Sequence, residues 1–249
     1  EQAIYPFAEY SFKHPLTQEV ALGSQLKERR RTVHAEVARA IERQDVEHLD
    51  ERAALLAQHW EEAGEALVAA RWHRRAAEWV GRTDVAAATR NWQRVRALLR
   101  GLPDDREAAT LGVAACRYLL LAMSWRTAVQ RDEARALFEE GQALADAIGG
   151  QRESLYLSMI YGLVVRGDGD VAAYLDVTLE NQRAASASGD IAAQVNAAAS
   201  RIDALKMSGR FAEALALAEL EVPRIPRDLP REEWVTGVGP RVFIGAHRG

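Results

Sequence analysis

Proline is nearly absent from the middle of the chain, and this absence leaves few alternatives to helix. Between Leu16 and Val222 the only proline is Pro103. A proline in a helix interior removes a hydrogen bond and clashes with the preceding turn, so a span without proline can be helical almost throughout. Glycine-containing turns divide this span into segments of ordinary helix length. The sequence therefore predicts a series of helices joined by short turns.

Apolar residues within these segments recur at alternating steps of three and four, which places them on one face of a helix. Such stripes include Ala69, Trp72, Ala76 and Trp79; Val85, Ala88, Trp92, Val95 and Leu99; Ala108, Leu111, Ala115, Tyr118, Ala122 and Trp125; and Ile191, Val195, Ala198, Ile202 and Leu205. Aspartates near the starts of helices accept hydrogen bonds from free backbone amides. The predicted caps are Asp84, Asp104, Asp132 and Asp190. No strand pattern precedes the final segment, so the predicted fold class is all-α.

The turns between the helices recur at a regular interval. The turns at Asp132, Asp170 and Arg210 are almost equally spaced in the sequence. Their period of about 40 residues is somewhat longer than the roughly 34 residues of an ideal tetratricopeptide repeat. We expect a right-handed superhelical array of antiparallel helix hairpins, with three degenerate repeats in 105–222 and further helix pairs in 46–102. Residues 223–249 begin with a proline-rich boundary and are interpreted as the start of a further, truncated helix pair.

Residues with metal-binding or catalytic chemistry are sparse. Cys116 is the single cysteine, and no two of the six histidines have the i, i+4 spacing of a helical zinc site. No lysine follows a glycine-rich loop that could hold a nucleotide phosphate. We therefore expect no cofactor, no metal and no catalytic site in this chain. Since no apolar run approaches about 20 residues and the first ten do not resemble a signal peptide, the sequence predicts a soluble cytoplasmic protein without a membrane partner.

One stretch is strongly basic although the whole chain has a net charge of −4. Residues 71–100 contain eight arginines against two acidic residues, interleaved with three tryptophans. This pattern suits a surface that stacks bases and binds phosphates. A simpler interpretation is favoured, in which the tryptophans belong to the core and the arginines form a solvated face. The candidate interaction surface consists of Arg71, Arg74, Arg75, Arg90 and Arg94.

Several segments resemble parts of large bacterial signalling proteins. The first is YSFKHPLTQEVA at 10–21, followed by RRRTVHAEVARAIE at 29–42. Shorter matching segments follow at 56–64, 69–79, 96–103, 133–141 and 239–244. The sequence resembles proteins in which a class III adenylate or guanylate cyclase domain precedes an AAA-like signal-transducing ATPase domain and a tetratricopeptide-like array. Leu22 departs from this pattern, because such proteins usually have tyrosine there.

This resemblance implies a division of the chain and a role. Residues 1–45 would be the end of a winged-helix-like, ATPase-associated domain, and 46–222 would be the helical repeats. Neither catalytic module lies within the chain, so it would be a non-catalytic regulatory and protein-interaction region of a full-length cyclase. Its partner would be its own ATPase or cyclase domain or another protein. The alternative is the helical array of an ATPase-type transcription regulator that contacts nucleic acid, which the net charge disfavours.

Overall fold

The computed structural model describes residues 27–81, 83–100, 102, 105–125, 131–226 and 235. In these residues all regular secondary structure is helical, and the all-α fold class is confirmed for them. The ten α-helices are α1 Lys27–Gln44, α2 Leu49–Ala63, α3 Ala66–Val80, α4 Val85–Leu99, α5 Arg106–Ser124, α6 Arg131–Ile148, α7 Gln151–Gly167, α8 Val171–Ser188, α9 Ile191–Met207 and α10 Phe211–Glu221. Short 3₁₀ turns occupy Val46–His48 and Val222–Arg224. Two predicted segments lie partly outside the described residues: residues 1–26 of the winged-helix-like segment 1–45, and residues 227–249, Val235 apart, of the boundary and helix pair at 223–249.

The chain divides into two compact units between Trp79 and Val80. In the described part of unit 1, α1 packs against α2. Alanines supply much of the buried surface of α1, α2 and α3, which permits close approach of helices. The domain boundaries expected after residues 45 and 222 stay predictions.

A single carboxylate connects the three helices that the structure describes in unit 1. The indole Nε1 of Trp60 on α2 donates a hydrogen bond of 2.8 Å to Glu42 Oε1 on α1. The indole Nε1 of Trp72 on α3 donates to the same oxygen at 3.1 Å. The guanidinium groups of Arg39 and Arg75 lie 5.3 and 5.1 Å from the ring centroids of Trp60 and Trp72, respectively. Of these two tryptophans only Trp72 belongs to the basic stretch, and its hydrogen bond gives it a structural role.

The helices of unit 2 contact one another in a repeating order. The helix α5 packs against α4, α6 and α7; α7 packs against α6, α8 and α9; and α9 packs against α8 and α10. Thus α5, α7 and α9 form a continuous row, and each of them also contacts the helix that follows it in the chain. Stacked repeats of two helices have this pattern of contacts.

The starts of three helices of unit 2 agree with the predicted period. Three helices of unit 2 begin at Arg131, Val171 and Phe211, which are equally spaced in the sequence. Two of the turns between helices contain Gly169 and Gly209, which are separated by the same interval and have φ of 81° and 77°. A side chain is strained in this left-handed region, so glycine allows the same sharp turn at both positions.

Ion pairs connect each period of unit 2 to the next. Arg152 on α7 pairs with Asp190 at 2.8 Å, and Arg166 on the same helix pairs with Asp203 on α9 at 2.5 Å. Arg131 on α6 pairs with Asp168, and with Asp170 at 3.3 Å. The partners in these pairs are separated by nearly one period in the sequence. We refer to them as the inter-repeat ion pairs.

Buried polar side chains lie on α8 and α9 and were not predicted. They are Thr178 and Asn181 on α8, and Asn196, Ser200 and Asp203 on α9. Asn196 Oδ1 accepts a hydrogen bond of 3.0 Å from the backbone amide of Val235. Asn181 Nδ2 and Ser200 Oγ have no hydrogen-bond partner among the described residues. The interior of this part of unit 2 is thus partly polar.

Several residues of the predicted apolar stripes are exposed at the ends of helices. Their exposed fractions are 54% for Trp79, 51% for Val85, 71% for Trp125 and 57% for Ile191. The other members of these stripes are mostly buried, including Trp92, Val95, Leu111 and Ile202. The stripes were therefore correct along the middle of the helices and wrong at these four positions, whereas Leu99 at the end of α4 is buried as predicted.

Two of the predicted helix caps are confirmed and one is wrong. The carboxylate of Asp84 accepts a hydrogen bond of 2.8 Å from the backbone amide of Ala87, and that of Asp190 accepts one of 3.0 Å from the backbone amide of Ala193. The cap of α5 is Asp105, and the predicted cap Asp104 lies outside the described residues. Asp132 lies inside the first turn of α6, where it does not precede the helix.

One helix of the described residues passes a test for membrane spanning by length and composition. It is α5, which has 19 residues and contains an 18-residue window with a mean hydropathy of 1.2. More than half of the window that passes is buried inside unit 2. A core helix of a folded protein passes the same test, and the contacts of α5 with three other helices fit that explanation.

Candidate functional site

A cavity of about 590 Å³ lies in unit 2 between α4, α5 and α6. Its floor is apolar and includes Leu119 and Met123 of α5 and Leu137 of α6. Polar side chains line two walls: Arg90 and Gln93 on α4, and Glu133 on α6. Small-molecule sites in proteins have this size and this combination of an apolar floor with a few polar groups. We refer to it as the α4–α6 cavity.

The packing of α4 decides which of its side chains face this cavity. Asp84 caps the helix, and Trp92 and Val95 are buried. The ring of Trp92 stacks on the ring of Tyr118 of α5, with 5.6 Å between centroids. Because this buried face holds α4 on α5, the adjacent face with Arg90 and Gln93 lines the cavity.

A bidentate ion pair fixes one charged group of the cavity lining. Arg96 Nε and Nη2 donate hydrogen bonds of 2.8 and 2.5 Å to the two carboxylate oxygens of Glu140. These hydrogen bonds raise the pKa of Arg96 against an opposing effect of its partial burial, and the charge of Glu133 also acts to raise it. The guanidinium of Arg96 is therefore occupied by a partner within the protein.

The remaining polar groups of the cavity are available to a ligand. Within the described part of the chain, Arg90, Gln93 and Glu133 have no hydrogen bond or ion pair. Arg90 and Gln93 are three residues apart on α4, so their side chains lie on neighbouring positions of one helix face. The cavity thus presents a cation and an amide on one wall and a carboxylate on the other.

The structure divides the predicted arginine surface between the two units. Arg71, Arg74 and Arg75 lie on α3 in unit 1, and Arg90 and Arg94 lie on α4 in unit 2. Arg74 pairs with Glu78 at 2.8 Å, and Arg75 pairs with Asp50 at 2.5 Å. Arg71 and Arg94 are exposed, and each takes part in further interactions. Of the five, Arg90 is the one that lines the α4–α6 cavity.

Two histidines meet where α1 and α2 pack together. The Nδ1 atoms of His34 and His59 are 3.0 Å apart, and the rings are tilted with 5.2 Å between centroids. Burial lowers the pKa of His59, and the nearby His34 lowers it further. No cluster of three or more potential metal ligands occurs among the residues that the structure describes.

Cys116 lies in the interior of unit 2, on α5. Burial raises the pKa of its thiol to about 12, and the nearby charge of Glu140 acts in the same direction. Reactive cysteines have a lowered pKa and an accessible sulfur. Cys116 therefore has the properties of a packing residue.

Comparison with known proteins does not add a family assignment. No family model matches the sequence, and no curated protein matches it significantly.

Glu133 and Gln93, which complete the cavity with Arg90, were not predicted. Glu133 is distant from Arg90 in the sequence, and only the packing of α6 on α5 brings it to the cavity.

Proposed function

We propose that this chain is a non-catalytic regulatory and protein-interaction region of a multidomain bacterial signalling protein. The accompanying catalytic part is an adenylate or guanylate cyclase with an AAA-like ATPase domain, and the protein acts in the cytoplasm. The observation that carries the proposal is the regular spacing of helices in unit 2, together with the segments at 10–21 and 29–42. Arrays of repeated helix pairs present extended surfaces that bind other proteins.

The finer architecture belongs to the same proposal. The pairs α5 with α6, α7 with α8, and α9 with α10 are antiparallel hairpins stacked into a right-handed superhelix. Two observations support this arrangement: the contacts of α5 with α7 and of α7 with α9, and the short turns between consecutive helices. Residues 1–45 form the end of a winged-helix-like domain that connects the array to the ATPase domain.

Regulation requires that the array bind one state of the catalytic domains more tightly than the other. A tenfold change in output corresponds to about 1.4 kcal/mol of difference in binding free energy. An interface of ordinary size supplies this easily, since a few buried contacts are worth as much. The partner is the protein's own ATPase or cyclase domain, or another protein that competes with it.

Contact with nucleic acid has less support from the described residues. Two of the five candidate arginines, Arg74 and Arg75, are paired with carboxylates. A surface that binds phosphate backbones needs unpaired cations that release counterions. Steep salt dependence of duplex binding, lost in Arg74→Glu and Arg94→Glu variants, would favour this alternative.

The test begins with the reading frame that contains this chain. We expect it to encode a cyclase domain and a phosphate-loop ATPase domain before the segment at 10–21. The chain alone should make no cyclic nucleotide from ATP or GTP with Mn²⁺. Added to a version of the protein that lacks this region, it should change the rate of cyclic nucleotide formation at least about fivefold, the lower end of typical coupling between sites.

The control for this experiment is the same chain after heat denaturation. A frame without either catalytic module would contradict the proposal. So would cyclic nucleotide formation by the isolated chain, or an unchanged rate when the folded chain is added.

A further inference from the structure

We propose that the α4–α6 cavity binds a small zwitterionic molecule with an apolar body, of which a short apolar peptide with free termini is the simplest example. The cavity would serve this purpose whichever catalytic domains accompany the chain. The inference rests on three features of the cavity: its volume, its apolar floor and the opposite charges on its walls.

The volume and the floor suit a small apolar body. About 590 Å³ falls within the range of roughly 300 to 1,000 Å³ that is typical of small-molecule sites. Leu119, Met123 and Leu137 line the floor, and their side chains are otherwise almost fully buried. An apolar group placed on this floor is removed from water and contacts aliphatic carbon and sulfur.

The two charged walls suit opposite charges on one ligand. The guanidinium of Arg90 can hold a carboxylate by two parallel hydrogen bonds, and the amide of Gln93 can add another donor. The carboxylate of Glu133 accepts hydrogen bonds from an ammonium group. In the described structure, Arg90 and Glu133 do not pair with each other and lie on different helices, α4 and α6.

Other classes of ligand fit the walls less well. A fatty acid would pair with Arg90 but would offer no cation to Glu133. A polyanion such as nucleic acid would be repelled by Glu133, and the guanidinium of Arg96 is already held by Glu140. A partner protein would need a surface of about 800 Å², which is much larger than one cavity of this kind provides.

The test measures binding of leucyl-leucine to the full chain by isothermal titration calorimetry. We expect a dissociation constant between about 10 µM and 1 mM, as is usual for a ligand of this size. Leucyl-leucine amide lacks the carboxylate and N-acetyl-leucyl-leucine lacks the ammonium group. Each should bind at least about tenfold more weakly, because a charged hydrogen-bonding group is lost.

Variants of the two walls assign each ligand charge to its protein partner. In Arg90→Gln, leucyl-leucine should bind no better than its amide, and in Glu133→Gln it should bind no better than the acetylated form. The matched control is Arg94→Gln, one turn along α4 and outside the cavity lining, which should leave the affinity unchanged. Circular dichroism of each variant verifies that these exposed substitutions leave the fold intact.

Three results would overturn the inference. The first is no heat of binding up to about 10 mM leucyl-leucine, since weaker binding would be without specificity. The second is that octanoate binds as tightly as leucyl-leucine and that Glu133→Gln does not change the affinity for octanoate. The ligand would then be a simple carboxylate. The third is that a catalytic domain of the parent protein shields Arg90 and Glu133 from solvent and leucyl-leucine does not. This result would assign the cavity to a protein partner.

Discussion

At the scale of single residues, Glu42 joins side chains from different helices of unit 1. Its Oε1 atom accepts hydrogen bonds from the indoles of Trp60 and Trp72, which belong to two different helices. A partly buried carboxylate in this position fixes the mutual orientation of α1, α2 and α3 more than apolar contacts alone would. The basic stretch at 71–100 thus contains Trp72, whose indole N–H already donates a hydrogen bond to Glu42.

Replacing Glu42 by alanine should destabilise unit 1 by about 2 to 3 kcal/mol, because two partly buried indole donors lose their acceptor. The measurement is urea denaturation followed by tryptophan fluorescence. Glu47→Ala is the control, since Glu47 is an exposed glutamate in the same unit. Equal midpoints for the two variants would show that the shared acceptor is energetically unimportant.

The contact between His34 and His59 should make unit 1 sensitive to acid. The pKa of His59 is lowered in the folded state, so between the folded and unfolded pKa values the unfolded chain binds more protons. Stability is therefore complete above about pH 6.5, the ordinary histidine pKa, and decreases as the pH falls below it.

This dependence can be measured as the free energy of unfolding of unit 1 between about pH 7.5 and 5, the range of histidine titration. We expect His59→Gln to flatten the curve. His48→Gln is the control, because His48 is exposed and has an aspartate partner, Asp45, at 2.9 Å. An unchanged slope in His59→Gln would exclude the histidine contact as the cause.

At the scale of helices, Gly141 of α6 allows a close approach at the centre of unit 2. A Cβ atom at this position would lie 3.0 Å from Cys116 Cβ and 3.1 Å from two atoms of Leu157. Alanine gains about 1 kcal/mol of helix propensity over glycine, but overpacking costs about 1 to 3 kcal/mol. Since Cys116 Cβ is fixed by its backbone, we expect Gly141→Ala to lower the stability of unit 2 by about 1 kcal/mol, the excess of the overpacking cost over the propensity gain.

The matched control for Gly141→Ala is Gly167→Ala at the end of α7. There the nearest atom to a new Cβ is Ser124 O at 3.7 Å, an ordinary contact. This variant should be neutral or slightly stabilising in thermal denaturation. If both alanine substitutions change the thermal stability equally, the close approach of side chains at Gly141 does not make alanine unfavourable there.

The inter-repeat ion pairs should differ in energy according to burial. Asp203 has a side chain that is 10% exposed, and it also accepts a hydrogen bond of 3.4 Å from the hydroxyl of Tyr174. Asp203→Ala leaves that hydroxyl and Arg166 without their acceptor, so we expect a loss of about 2 to 3 kcal/mol. Arg152→Ala breaks a more exposed pair with Asp190 and should cost less than about 1 kcal/mol.

The two variants are compared by urea denaturation at low and high salt. Addition of about 1 M NaCl should reduce the effect of Arg152→Ala and leave most of the effect of Asp203→Ala, because buried charges are less screened. A larger loss in Arg152→Ala than in Asp203→Ala would contradict this ranking.

The sequence predicted the helical class and the spacing of the helices better than it predicted the buried faces. Steps of three and four identified the middle of α4 correctly, since Ala88, Trp92 and Val95 are buried. On α9 the apolar pattern did not reveal that Asn196 and Asp203 are also buried. Their separation by two helical turns places them on one helix face, which was the available signal.

The candidate site was predicted in one of its parts. Arg90 was included because it lies in a basic stretch, and the structure places it in the lining of the α4–α6 cavity. Glu133 could not be assigned to the same cavity, since no local pattern relates α6 to α4. Arg74 and Arg75 were included for the same reason as Arg90, but their ion pairs depend on contacts that composition does not reveal.

At the scale of the whole molecule, Cys116 reports the opening of unit 2. Its side chain is fully buried and the pKa of the thiol is about 12, so almost no thiolate exists at pH 8 in the folded protein. Modification by DTNB at pH 8 should therefore be slower than in the unfolded chain by at least about 1,000-fold. Its rate should rise with urea in parallel with the loss of helical circular dichroism.

A chain with Cys116→Ser and Ala143→Cys provides the control, because Ala143 is exposed on α6. That thiol should react quickly in the folded state. Rapid reaction of Cys116 without urea would mean that α5 is accessible through local opening.

The regular helix starts at Arg131, Val171 and Phe211 also have a consequence for how such a protein changes in length. A duplication of 171–210 inserts one whole repeat of two helices. It preserves the sequence separation between the two partners of each inter-repeat ion pair, from Arg131 to Asp203. An insertion of half a period would instead exchange the two kinds of helix and separate each arginine from its aspartate. Growth in whole repeats therefore lengthens unit 2, by about 10 Å for each added layer of helices, and leaves the inter-repeat ion pairs in place.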